Sequence, residues 1–279
     1  EDESRMNSET FEGLKLRSIG PAFLSGRISD VLIHPADENL WYAAAGSGGV
    51  WKTVNAGTTW TPVFDDEGSY SIGTLAADPS NPHVIWVGTG EDSGGRHVGY
   101  GDGVYRSDNG GVTWQNMGLE NSEHISRIIV SAEDSDVIYV AAQGPLWNKG
   151  GDRGFFKSSD GGQTWKKTLG DDEWTGVTDI VVDPRDADRV YAATWQHHRN
   201  VAAYMGGGPN SGIHRSDDGG ETWKKLTEGL PEGPMGKTGL AISFQQPDVV
   251  YASVELNRRK GGFYRSTDRG NSWEKQSDE

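Results

Sequence analysis

The chain reads as an all-β protein of repeated four-stranded antiparallel sheets, and three observations lead there. An eight-residue segment recurs five times, short β-branched runs separated by turns surround every copy, and no stretch sustains the 3.6-residue apolar period of a helix. The segments are Thr53–Trp60, Ser107–Trp114, Ser158–Trp165, Ser216–Trp223 and Ser266–Trp273, sharing the form Ser/Thr-x-Asp/Asn-x-Gly-x-Thr/Ser-Trp. Their closing tryptophans lie 54, 51, 58 and 50 residues apart. Four strands in roughly 50 residues, repeated, is the pattern of a β-propeller, whose sheets cover their faces only by stacking around an axis.

Each repeat supplies its elements in the same order. First strands are predicted at 28–35, 72–79, 125–132, 177–184 and 240–244, and second strands at 40–45, 84–88, 137–142, 190–193 and 249–254. A glycine, apolar residues and then a basic one mark the third: Gly49 to Lys52, Gly103 to Arg106, Gly154 to Lys157, Gly212 to Arg215, Gly262 to Arg265. The eight-residue segment makes the turn into the fourth strand, which its tryptophan opens. Asn55, Asn109, Asp160, Asp218 and Asp268 can accept from turn N–H groups, the leading Ser/Thr can cap the turn, and glycine supplies positive φ. Trp60, Trp114, Trp165, Trp223 and Trp273 then fold back onto the sheet. These ten residues are read as structural staples, not as metal ligands or sugar platforms.

One domain over 1–279 follows, with blades at 27–66, 67–119, 120–170, 171–230 and 231–279 and a closing strand at 12–20. The expectation is five blades of a larger, seven-bladed ring, completed by further blades or a partner chain. A closed five-bladed ring is the alternative. An open ring would leave two sheet faces bare.

Composition excludes whole classes. Among 279 residues, 41 acidic against 26 basic side chains give a net charge of −15, which repels nucleic acid and anionic membrane surfaces. No apolar run reaches the roughly 18–20 residues of a membrane span. Zero cysteines exclude disulfides, thiol nucleophiles and cysteine-held metals, and no cofactor is expected. The polar opening Glu1-Asp2-Glu3-Ser4-Arg5 would suit a mature chain whose leader has been removed.

The five segments resemble the Asp-box, or BNR, repeat of sialidases, sortilin-type VPS10 propellers, xyloglucanases and photosystem II assembly factors. The likeness is closer to large secreted bacterial Asp-box proteins described as VPS10-domain-containing or glycosyl-hydrolase-like. It extends from Leu16–Pro21 through Gly46–Thr53, Val87–Glu91, Gly101–Tyr105 and Ala141–Trp147 to Ser266–Gly270. The resemblance implies a secreted, periplasmic or bacterial cell-surface location, and it fixes architecture better than activity. Two departures count against hydrolase activity. The xyloglucanase-like family has an Asp-x-Gly-Gly turn in its first blade where this chain has Gly46-Ser-Gly-Gly49, and Arg17–Pro21 only loosely echoes the sialidase start.

Function is expected in the long loops of blades 2–4: 89–102, 143–153 and 194–211. Arg96, His97, Tyr100, Trp147, Arg153, Trp195, His197, Arg199 and Tyr204 combine aromatic faces, imidazoles and guanidinium groups suited to a polar or sugar-like ligand. Glu91 and Asp102 are the candidate acid–base carboxylates, with Asp92, Asp30 and Asp179 beside them. His197-His198 is read as surface or cap, Asp65–Glu67 and Asp171–Glu173 as solvated turns, and Gly206–Pro209 lacks the Lys-Ser/Thr of a phosphate loop. These readings predict an extracytoplasmic binding or scaffolding propeller that recognises a glycan or protein partner. The alternatives are a glycoside hydrolase using the same face, and an assembly factor for a larger complex.

Overall fold

The computed structural model describes residues 27–92, 95, 97–256 and 261–277; the predicted closing strand at 12–20, the Arg17–Pro21 segment and Arg96 lie outside them. The described residues form five four-stranded antiparallel sheets. The first holds β1 (Ile28–Ile33), β2 (Trp41–Ala45), β3 (Gly49–Thr53) and β4 (Thr61–Pro62). The second holds β5 (Ile72–Ala77), β6 (Ile85–Thr89), β7 (Val104–Ser107) and β8 (Gln115–Asn116), and the third β9 (Ile125–Val130), β10 (Val137–Ala142), β11 (Gly154–Ser159) and β12 (Lys166–Leu169). In the fourth, β13 (Thr175–Asp183) and β14 (Asp186–Gln196) are followed by a separate hairpin, β15 (His198–Arg199) and β16 (Tyr204–Met205), before β17 (Gly212–Ser216) and β18 (Lys224–Leu226). The fifth holds β19 (Met235–Ile242), β20 (Val250–Leu256), β21 (Gly262–Ser266) and β22 (Glu274–Ser277).

The β15–β16 hairpin was not expected, and β14 runs well beyond the predicted 190–193. A two-residue turn, Pro184-Arg185, joins β13 to β14, and Asp183 accepts from both the backbone N–H and the guanidinium of Arg185. Held so closely, the two strands stay paired from the turn to Gln196.

Consecutive first strands lie side by side, β1 on β5, β5 on β9, β9 on β13 and β13 on β19. Apolar side chains alternate along each strand, so one set meets the preceding sheet and the other the following one. The core is therefore four layers between sheets. Tyr42, Val50, Ile72 and Leu75 fill the first, and Trp86, Val104, Ile125 and Phe156 the second. Tyr139, Phe155, Val177 and Ile180 fill the third, and Tyr191, Ile213, Leu240 and Trp273 the fourth.

Hydroxyls pin the layers along the axis. Ser29 donates to Ala44 in its own sheet and to Ile72 in the next, at 3.2 and 2.8 Å. Ser126 does the same to Ala141 and Val177, and Thr178 to Ala193 and Thr238. Each sits at a break in register beside the second strand, where a β-bulge frees the side chain to cross between sheets. At the corresponding place in β5 stands Gly73, where a Cβ would lie 1.9 Å from the Ile125 carbonyl. Only glycine fits there.

The rim is pinned by the repeated turn. Ser216 Oγ accepts from Gly220 N at 2.8 Å and donates to Asp218, which accepts from Thr222 N at 2.9 Å. The same bonds recur around Asn55, Asn109, Asp160 and Asp268. Trp114, Trp165 and Trp223 reach back to bond Val63, Met117 and Thr168 in the preceding sheet. Trp60 and Trp273 bond carbonyls of their own turns instead.

Ser216→Ala removes a buried acceptor for two turn N–H groups and should cost about 1–2 kcal/mol, read as a lower urea midpoint. The turn also carries a pH signature. The bond from the Thr164 hydroxyl leads the causes that hold Asp160 down to about 2, and the Ser216 hydroxyl leads those that depress Asp218 further. A carboxylate with a lowered folded pKa adds stability above its unfolded value of about 3.9 and loses it as pH falls. The urea midpoint should therefore drop between about pH 4 and pH 2, and less steeply in Asp160→Asn.

Candidate functional site

The long loops gather at one end of the sheets, and their side chains divide sharply. In the blade-2 loop Asp102 accepts from the Tyr105 hydroxyl at 2.7 Å and from Thr89 at 3.3 Å, and its N–H donates back to Thr89. Glu91 is buried and ion-paired with Arg27, whose guanidinium also meets His97 at 3.2 Å. Tyr100 is exposed and stands edge-on to His124. Burial pushes His124 down to about 4, so it is neutral near pH 7, and its Nδ1 lies 2.8 Å from the Glu91 carbonyl.

In the blade-3 loop Arg153 is 1% exposed and donates to the carbonyls of Gly150, Pro145 and Asn148 at 2.7–2.8 Å. Burial lowers its guanidinium to about 10, which still leaves it charged at neutral pH. It organises the loop from inside, with Trp147 half-buried nearby. In the blade-4 loop Trp195 is buried, donates to Gly206 and stacks on buried His197 at 4.0 Å. Burial takes His197 down to about 3. Arg199 lies 4.2 Å over exposed Tyr204, and His198 packs on Trp174. His97, Tyr100 and Tyr204 thus reach solvent, whereas Arg153, Trp195 and His197 hold the loops together.

The concave polar space lies on the axis. A cleft of about 400 Å³ is bordered by Asp92, Arg127, Asp179, Lys237 and Glu255. Asp179 accepts from Arg127 Nε at 3.0 Å, from Ile180 N, and from Leu240 N in the next sheet. Burial opposes the Arg127 charge, but Asp179, then Asp30 and Asp92, outweigh it and raise its pKa. Lys237 crosses from the fifth sheet to the blade-2 loop, bonding the Asp92 carbonyl and standing 3.6 Å from its carboxylate. Its ammonium lies 5.8 Å from the centre of the Trp195 ring. Beyond Arg127 the axis turns apolar, in a cavity of about 630 Å³ lined by Ile129, Val181, Ala241 and Phe244.

Sequence reasoning had Asp92 and Asp179 in view but missed Lys237 and Glu255. Both stand near the loop end of the fifth sheet, where β19 and β20 fall out of register between Met235 and Thr238. That irregularity leaves no motif.

Four-stranded sheets stacked face to face along a common line of first strands, with a polar cleft at the loop end, give the chain a β-propeller-like fold. A profile of the BNR/Asp-box repeat matches residues 214–225, around the fourth turn. Xyloglucanase Xgh74A of Acetivibrio thermocellus is 28% identical over 219 residues, covering 70% of this chain and 25% of that protein. The oligoxyloglucan reducing end-specific xyloglucanase of Emericella nidulans is 25% identical over 230 residues, covering 75% and 24%. The chain thus spans about a quarter of the length of these curated relatives. In fold it is similar to an ancestral GH74 enzyme (TM-score 0.68, 21% identity, 90% of this chain and 31% of that one). It is also similar to the GH74 enzyme of Niastella koreensis (TM-score 0.62, 20% identity, 90% and 38%).

These relatives correct the expectation of a binding or scaffolding propeller without turnover. The proteins that match are xyloglucanases, which favours the glycoside-hydrolase alternative over the non-enzymatic reading.

The two kinds of loop residue should separate in stability. Arg153→Met strands three inward-facing carbonyls and should cost about 3 kcal/mol in urea unfolding. Trp147→Ala, at a half-buried position, should cost about 1 kcal/mol.

Proposed function

We propose that this chain forms a substrate-binding part of a glycoside hydrolase acting on a hydroxyl-rich polysaccharide of the xyloglucan type, with the axial cleft receiving the sugar. The observation that carries the reading is the likeness to xyloglucanases over 70–75% of the chain. The cleft supports it chemically. Glycoside hydrolysis uses two carboxylates, one donating and one accepting protons or attacking carbon. Asp30 and Asp179 each accept backbone N–H groups from their own and the next first strand, which assigns them to positioning. Asp92, with a side chain 43% exposed, and exposed Glu255 are the carboxylates in this reading. Arg127 engages Asp179 through Nε, so its Nη donors serve a sugar hydroxyl. Further sheets, seven in all, would enclose the axis.

The test is release of reducing ends from xyloglucan, with calorimetry on its oligosaccharides. Asp92→Asn and Glu255→Gln should each lower kcat about 100-fold. Arg127→Met should raise KM about tenfold with kcat little changed. Absence of both turnover and oligosaccharide binding overturns the reading.

A further inference from the structure

One copy of the repeated turn holds a chemical instability that the other copies avoid. Asn109 precedes Gly110, the one Asn-Gly pair in the chain. A glycine nitrogen has no side chain beside it, so it reaches the preceding side-chain amide more readily than any other residue's nitrogen does. In Asn55-Ala56 and Asp268-Arg269 a side chain follows instead. Asp160-Gly161 and Asp218-Gly219 keep the glycine but carry a carboxylate. Hydroxyl and backbone donors hold both of these ionised, and a carboxylate anion is a poor electrophile.

The closed turn restrains the reacting groups of Asn109 and Gly110. Asn109 Oδ1 accepts from the Ser107 hydroxyl, Val112 N and Thr113 N at 2.9, 3.1 and 2.9 Å. Its Nδ2 donates to Thr113 Oγ1 at 2.8 Å. Gly110 N, the potential nucleophile, donates to the His83 carbonyl at 2.8 Å. Attack requires those bonds to break, so the reaction waits for the turn to open.

Three other copies show how an aspartate would sit there. Asp160, Asp218 and Asp268 accept the N–H four residues on at 2.9 Å, as Asn109 does, and their second oxygen takes the hydroxyl of Thr164, Thr222 or Ser272. At Asn109 the equivalent bond runs from amide to hydroxyl, and rotation of the Thr113 hydroxyl proton reverses it. The backbone of Gly110 belongs to the joint between sheets. Tyr42 and Lys52 donate to its carbonyl at 3.0 and 2.8 Å, as Tyr191 and Arg215 donate to that of Arg269. Aspartate leaves this backbone unchanged. Isoaspartate, linked through its side-chain carbon, puts a methylene into the main chain and displaces both the N–H and the carbonyl of Gly110.

We propose that Asn109 is a hydrolytic modification site, converted while its turn is open, and that the turn recloses on aspartate but not on isoaspartate. Gly110 N bonds to Asn109 Cγ, and its proton leaves with the side-chain nitrogen as ammonia. Water then adds to the resulting five-membered imide. Cleavage of the new Cγ–N bond gives aspartate, and cleavage of the original peptide C–N bond gives isoaspartate. One water is consumed, one ammonia is released and one negative charge is gained. The inference concerns the turn and is independent of any hydrolase activity.

The test ages the chain in warm, mildly alkaline buffer, folded or in urea, and follows the tryptic peptide Ser107–Arg127 by mass spectrometry and isoaspartate assay. Asn109 should convert in urea and about tenfold more slowly in the folded chain. Ser107→Ala removes a donor to Oδ1 and the acceptor of Gly111 N, so it should speed the folded reaction about tenfold and leave the reaction in urea unchanged. Asn109→Asp should fold with a urea midpoint at neutral pH no lower than that of the parent, and chains carrying isoaspartate should unfold at lower urea. Equal rates in the folded chain and in urea overturn the proposal, as does an Asn109 that survives ageing in urea. So do a Ser107→Ala chain that reacts at the parent's rate, a lowered midpoint in Asn109→Asp, and an isoaspartate chain as stable as the parent.

Discussion

Contact between consecutive sheets is the constraint on which everything else in the molecule depends. A sheet whose two faces are both apolar cannot be stable alone, since water would meet one of them. Burying an Ile, Phe or Tyr fully is worth about 1.5–3 kcal/mol, and each layer buries several such side chains. Burial alone is non-directional, so the angle between sheets must be set by polar groups. The bulge hydroxyls set it at the axis, and the turn carbonyls set it at the rim. Tyr42 and Tyr191 serve both ends of this logic. Burial raises their hydroxyls to about 12, which keeps them protonated as donors to the next turn.

The same constraint builds the cleft. A bulge pushes one residue of each first strand out of the ladder, and the following side chain stands where neighbouring first strands meet. In the first and fourth sheets that side chain is aspartate, and its second oxygen takes a backbone N–H from the next strand. In the third sheet it is Arg127, which faces Asp179. Charge on the axis is thus part of the joint between sheets. Loop residues then close over it from the outside, and burial makes their ionisable groups inert. His124 and His197 are neutral near pH 7, while Arg153 spends its donors on its own loop.

What could be read from sequence follows from how local each interaction is. The turn was legible because every bond in it joins residues two to four apart, from Ser216 to Asp218, Thr222 and Gly220. The layers were legible because strand alternation is itself a sequence period. The cleft was not. Lys237 meets Asp92 across 145 positions, and no pattern in the chain announces a contact of that range. Trp195 shows the opposite error. An aromatic residue in a predicted loop reads as a platform, but β14 continues through Gln196 and carries Trp195 into the interior. Gly46-Ser-Gly-Gly49 departs from the xyloglucanase-like turn at one short place, whereas the likeness to xyloglucanases is spread over more than 200 residues.

The charges in the cleft also say what kind of ligand they can satisfy. Arg127 and Lys237 are each paired, and their side chains and that of Asp92 remain 41%, 28% and 43% exposed. Partly solvated pairs of this kind contribute little to stability. Their consequence is fixed geometry, with donors and acceptors of both signs held a few ångströms apart by strands that cannot move independently. A strongly anionic ligand would meet the guanidinium and ammonium but also Asp92, Asp179 and Glu255, three carboxylates against two cations. A cationic ligand would compete with the pairs that hold the sheets in register. A sugar hydroxyl donates to a carboxylate and accepts from an arginine or lysine at once, so it enters without breaking either pair. In the proposed reading, neutral polyhydroxyl chains are the ligands that leave the joint between the sheets intact.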